Sequence, residues 1–315
     1  MKRKSIIFGI SSTKLTVGES NILRFNKPWG VILFSRNISD LNQLKRLVKQ
    51  IRSCVHDKFY PILIDQEGGA VSRLNKIIEL KLFSQKLFGD LYSRDRKNFE
   101  KYYKIYIDKI SDILNDVGIN INTVPVLDVL RKKTSAVIGN RAYSYDSNVV
   151  KKIGKICINL YARNKIATVV KHIPGHGLAE LDSHYDLPIV VEKRKNLIKR
   201  DFYPFKDCNS QFAMTAHVLY KNYDPHFTAT HSKIIIENII RKKLNFRGIL
   251  ITDDISMKAL QFGLKNNVFR ALDAGCNLIL HCNGDIKEMS ELSKIVPNID
   301  TFVKKKTSQF YNFLR

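Results

Sequence analysis

The chain has 315 residues, 44% hydrophobic and 26% charged, which is ordinary globular usage with length enough for one large barrel or two smaller domains. No apolar run approaches the roughly 20 residues of a membrane span, so the composition excludes an integral helical membrane protein. Lys and Arg total 53 against 29 Asp and Glu, a net charge of +24, which raises the question of a polyanionic partner.

Along the chain, short apolar runs alternate with helical patterns. The N-terminal Met1-Lys2-Arg3-Lys4 and the apolar Ser5–Ile10 imitate a secretory signal. The apolar part is shorter than the about 7–15 residues required, and a cytoplasmic location is expected. Ser5–Ile10 is instead read as a first strand. Further strands are expected at Gly30–Phe34, Tyr60–Ile64, Asn120–Leu127, Ala167–Val170, Phe212–Ala216, Gly248–Thr252 and Asn277–Leu280. These runs are almost continuously apolar, as in strands buried on both faces of a parallel sheet. Helices are expected at Leu41–Ser53 with Ser39-Asp40 as caps, at Phe99–Val117 ending on Gly118, and at Val149–Arg163, Lys233–Leu244 and Val268–Ala274.

Eight runs alternating with helices predict a single (β/α)8 TIM barrel over residues 1–315, with a doubly wound sheet as the competitor. Polar residues decide between them. Runs end in Asp65-Gln66-Glu67, Asp128, Lys171-His172, His217 and Asp253-Asp254, and a closed sheet brings such strand ends to one mouth. No Gly/Ser/Pro-rich linker and no internal repeat interrupts the pattern. The cysteines, 5 in number, include no C-x-x-C pair, which fits a reducing compartment and argues against a zinc ribbon. The basic residues are dispersed in short groups such as Lys132-Lys133 and Lys304-Lys305-Lys306, so charge alone assigns no function; no specific nucleic-acid partner is expected.

Three constellations could carry chemistry. In Lys171-His172-Ile173-Pro174-Gly175-His176-Gly177, followed by Asp182-Ser183-His184, a carboxylate two residues from a histidine can orient one ring nitrogen and stabilise the imidazolium. The rival reading makes His172, His176, Asp182 and His184 zinc ligands, although Pro174 and Gly175 keep the first two histidines off one helical face. In Thr252-Asp253-Asp254, side-chain alternation allows only one acid to face the mouth; the other is structural. In Asp65-Gln66-Glu67-Gly68-Gly69, Asp65 could grip sugar hydroxyls, and no nucleotide-binding glycine motif is present.

These segments together resemble glycoside hydrolase family 3, specifically the single-domain bacterial β-N-acetylglucosaminidases of peptidoglycan recycling (the NagZ type). Gly30–Asn37, Pro125–Val129, Ile138–Arg141, Met214–Val218 and Ala274–Asn277 match in the same order, and the similarity spans roughly residues 30 to 283. The resemblance implies a TIM barrel that needs no metal or cofactor. It implies Asp253 as catalytic nucleophile, His184 as general acid/base and Asp182 as the acid paired with it. Asp65, Arg73, Arg141, Lys171 and His172 match the positions that bind N-acetylglucosamine. The implied reaction releases terminal β-linked N-acetylglucosamine from 1,6-anhydromuramyl sugars or muropeptides with retention, by a monomer. Alternatives are a phosphorylase on the same scaffold, which would form a sugar phosphate, a polyanion-binding protein, and the metal hydrolase. The chain departs from the family pattern in three places. Ala70 replaces the usual arginine after Gly-Gly, a proline is missing in Asn75–Phe83, and Ala142 stands where serine is common. If the lost arginine braced the loop, stability suffers; if it shaped the sugar site, affinity or specificity changes.

Overall fold

The computed structural model describes residues 2–315, so Met1 of the basic leader lies outside the described residues. All eight apolar runs become strands: β1 Lys4–Gly9, β2 Pro28–Leu33, β3 Ile62–Ile64, β4 Ile121–Asn122, β5 Ala167–Ile173, β6 Phe212–Thr215, β7 Ile249–Asp254 and β8 Leu278–His281. They pair in parallel, in chain order, and β8 closes on β1 through Ile6 opposite Ile279. The expected closed barrel is therefore the observed one, and the doubly wound alternative is excluded.

Strand alternation divides the apolar runs between two cores. Ile7, Ile32, Leu63, Ile121, Val169, Met214, Ile251 and Leu280 point into the barrel. Their neighbours Ile6, Phe8, Val31, Leu33, Ile62, Ile64, Val170 and Ile279 point out against the helices. A strand buried on both faces needs apolar residues at every position, which is why the runs do not alternate.

The surrounding helices start and stop on capping residues. Asp40 accepts the Gln43 N–H and opens Leu41–Val55; Asp95 accepts the Asn98 N–H and opens Arg96–Val117. That second helix ends on Gly118 at φ 88°, a left-handed position that favours glycine. The sequence reading missed, among others, the helices Gln85–Arg94, Ile286–Ile295 and Thr301–Leu314. The last plugs the bottom of the barrel. Trp29 Nε1 donates to Thr307 Oγ1 at 2.9 Å, and Phe310 meets Phe212 edge-on at 5.6 Å.

Two strands differ in length from expectation. β4 stops at Asn122, because Pro125 has no N–H for the ladder and Asn122 exchanges two hydrogen bonds with the Gln66 backbone, at 3.0 and 2.9 Å. β5 runs on to Ile173, taking Lys171 and His172 into the strand itself. Lys171 is thereby held by backbone pairing with Pro125 and Leu127, and the His172 N–H by the Asp128 carboxylate, rather than on a free loop.

Candidate active site

A cavity of about 380 Å³ opens at the C-terminal mouth, on a floor of Ile32, Met214 and Leu280 from the top of the interior core. Asp65, Arg73, Arg141, Lys171, His172, His184 and Asp253 all line it. Asp182 stands behind His184 and does not line the cavity itself. Residues as far apart as 65 and 253 meet because every one follows or ends a barrel strand.

One wall is a buried ion network. Gly68 and Gly69, at φ 94° and 61°, turn the chain back after β3; a Cβ on Gly68 would lie 2.3 Å from the Phe83 carbonyl oxygen. Gln66 Oε1 accepts the Arg73 N–H inside this turn at 2.8 Å. Arg73 then reaches Asp65 at 2.7 Å, whose other oxygen takes Thr123 Oγ1 at 2.6 Å and Lys171 Nζ at 2.5 Å. Glu67, fully buried, receives Arg141 through two nitrogens at 2.8 Å each and Lys171 at 2.6 Å. Burial pushes the Glu67 carboxyl up, but Arg141 and Lys171 outweigh it and hold it below the usual carboxylate range. Asp65 is likewise driven down, its burial overcome by Lys171, Arg73 and Arg141.

The second wall carries the histidines. Asp128, buried after β4, takes His172 Nδ1 at 2.7 Å and the His176 N–H at 2.6 Å. Nδ1 being committed to Asp128, His172 turns Nε2 toward Asp253, 3.9 Å from its Oδ2. Asp253 keeps about a fifth of its side-chain surface open, 21%. Burial raises its pKa, yet His172, His217, the Asp254 N–H and Lys171 bring it below the ordinary value. Asp254 instead accepts Ser256 N–H and Oγ–H at 3.1 and 2.9 Å, and so caps the turn after β7. Both acids border the cavity, contrary to the strict alternation expected, but Asp254 is committed to the turn through Ser256.

Above the cavity, the loop after β5 carries the histidine–aspartate pair. Asp182 Oδ1 takes both the His184 N–H at 2.9 Å and its Nδ1 at 2.6 Å, leaving Nε2 free and the ring 57% exposed. Gly177 seats this loop on the previous one: a Cβ there would lie 1.9 Å from the Val129 carbonyl oxygen. The Thr134 hydroxyl donates to the Gly177 carbonyl at 2.6 Å. Among the described residues no group of three or more His, Cys, Asp or Glu side chains is arranged to hold a metal. Ala70 is exposed on the cavity rim, whereas Ala142 is buried against Leu130 and Ile138.

The sequence reading gave no role to Glu67, Asp128 or Ser183, and placed His176 only among the possible zinc ligands. The signal available for Asp128 and Glu67 was their place, each an acid just beyond a buried strand.

Residues 11–308 match the glycosyl hydrolase family 3 N terminal domain. A β-hexosaminidase of Hydrogenovibrio crunogenus is 31% identical over 295 residues, 92% of this chain and 82% of that one. One from Xanthomonas campestris is 30% identical, covering 89% and 85%. The crystal structure of NagZ from Neisseria gonorrhoeae in complex with N-trifluoroacetyl-D-glucosamine superposes with a TM-score of 0.88 at 27% identity, covering all of this chain and 91% of that one. The barrel and nearly its whole length being shared with these enzymes, the chain belongs to glycoside hydrolase family 3, among its NagZ-type β-N-acetylhexosaminidases.

Proposed function

We propose that this glycosidase is a retaining exo-β-N-acetylglucosaminidase of peptidoglycan recycling. It releases terminal N-acetylglucosamine from 1,6-anhydromuramyl sugars or muropeptides, in the cytoplasm, as a monomer with residues 1–315 forming one domain. The observation that carries the reading is the gathering of an ionised, accessible Asp253 and an exposed His184–Asp182 pair over one cavity. The glucosamine derivative bound by the gonococcal relative supports the sugar class.

The geometry supports the following roles. Asp65, Arg73, Arg141, Lys171 and His172 hold the sugar hydroxyls and acetamido group, fixed by the ion network so that little reorganisation accompanies the reaction. Asp253 attacks the anomeric carbon as a carboxylate. His184, with Nδ1–H given to Asp182, protonates the leaving oxygen from Nε2, and a covalent glycosyl–enzyme forms. The neutral imidazole then takes a proton from water, which attacks the anomeric carbon and frees Asp253. Two inversions give retention. Histidine suits this role because one ring nitrogen can be held by a carboxylate while the other donates and then accepts the proton.

The test is release of p-nitrophenol from the β-N-acetylglucosaminide and of sugar from an anhydromuramyl substrate. Asp253→Ala abolishes turnover of both while the protein stays folded. His184→Ala slows the anhydromuramyl substrate far more than the activated aryl glycoside, which needs little protonation. A fully active Asp253→Ala variant overturns the assignment.

A further inference from the structure

His176 is 3% exposed, lines the cavity, and takes no part in the steps above. Its backbone N–H is fixed on Asp128, and its ring stands edge-on to His172 with centroids 5.6 Å apart. Nδ1 is buried without a protein partner. The one side-chain bond the ring makes is from Nε2 to Ser183 Oγ at 3.4 Å. Ser183 is itself buried and lies between Asp182 and His184. Its carbonyl accepts the Ala259 N–H at 3.2 Å, from the segment that follows the nucleophile strand. An otherwise exposed turn thus has two inward attachments at Ser183, one to backbone beyond Asp253 and one to His176.

We propose that His176 is a positioning residue for the acid/base step: through Ser183 it holds the Asp182–Ser183–His184 turn where His184 reaches the leaving oxygen. The proposal rests on the reading of His184 as the acid. Burial, with His172 beside it, pushes the His176 ring down to about 4, so near neutrality it serves as an uncharged strut. Among the described residues the ring has no other side-chain hydrogen bond, so deleting it removes this bond together with the edge-on packing against His172.

The experiment measures kcat and KM for β-N-acetylglucosaminides whose leaving groups run from p-nitrophenol to a poor alkyl alcohol. The proteins are the full chain and its His176→Ala, His176→Gln, Ser183→Ala, His184→Ala and His176→Ala/His184→Ala variants. A general acid contributes about 10²–10⁴-fold, and a displaced one should forfeit roughly tenfold of it. His176→Ala and Ser183→Ala therefore lower kcat about tenfold on the alkyl glycoside, less on the p-nitrophenyl one, with KM unchanged on both. His176→Gln, which can still reach Ser183, recovers most of the loss. The double variant is no slower than His184→Ala alone, because there is no acid left to position. A loss equal across leaving groups, a raised KM, or additive losses in the double variant overturns the proposal. If His184→Ala itself shows no leaving-group dependence, the acid assignment fails first. A folded Ser183→Ala with full activity overturns the proposal even where His176→Ala does not fold.

Discussion

Glu67→Gln probes the buried ion network most directly. Glu67 accepts three charge-assisted contacts, two from Arg141 at 2.8 Å and one from Lys171 at 2.6 Å, with its own side chain wholly buried and Lys171 only 3% exposed. Breaking a buried pair from one side costs about 3–5 kcal/mol, since the remaining charge is left uncompensated. Gln keeps the shape and one acceptor oxygen, and Asp65 still balances Lys171, so the low end, about 3 kcal/mol, is expected. At roughly 2–3 °C per kcal/mol this lowers Tm by roughly 6–9 °C in a neutral-pH calorimetric scan. The sign with pH is fixed. The folded Glu67 pKa lies below its unfolded value, about 4.3, so its contribution is present in full above that pH and is lost as pH falls through the folded pKa. The difference between wild type and variant stays constant from pH 6 to 8 and narrows below about pH 4. Lys171 and Arg141 also lose their anchor, and kcat/KM should fall by about ten- to a hundredfold, as for slightly misplaced binding groups. A Tm change under about 2 °C, with kcat/KM intact, refutes the idea that Glu67 sets these two cations.

Other substitutions test other parts of the mouth. Ala70→Arg restores a cation to an exposed rim position. Stability should change by no more than about 0.5 kcal/mol, and KM for an anionic muropeptide should fall by up to about fivefold, the strength of a surface ion pair. A large Tm shift would place the position inside the loop's packing instead. Gly177→Ala puts a Cβ 1.9 Å from the Val129 oxygen, a backbone atom that cannot move aside cheaply. The variant should lose about 1–3 kcal/mol by urea unfolding and most of its activity, because the displaced loop carries His184. Wild-type behaviour would show the two loops to be loosely seated. Exhaustive chelation should leave p-nitrophenol release unchanged; a loss reversed by zinc would return His172, His176, Asp182 and His184 to the role of ligands.

The eight strands were legible in the sequence because burial on both faces forces an unbroken apolar run, and the strand-end acids and histidines because they interrupt it. The candidates Asp253, His184 and Asp182 were picked out by the resemblance of their motifs to family 3; spacing alone made Asp182 and His184 a plausible pair and did not separate Asp253 from Asp254. What tertiary structure alone decided is who partners whom. Arg141 meets Glu67 across 74 positions, His172 meets Asp128 across 44, and Trp29 meets Thr307 across 278. None of these pairs leaves a periodic or spaced trace in the chain, because closing the barrel, not sequence proximity, brings their backbones together. The sequence likewise could not divide each apolar run between the interior and the helix-facing core, since nearly every residue in it is apolar. Alternation in the folded strand makes that division, and at the end of β7 the hydrogen bonds of the following turn, not the sequence, commit Asp254 to Ser256.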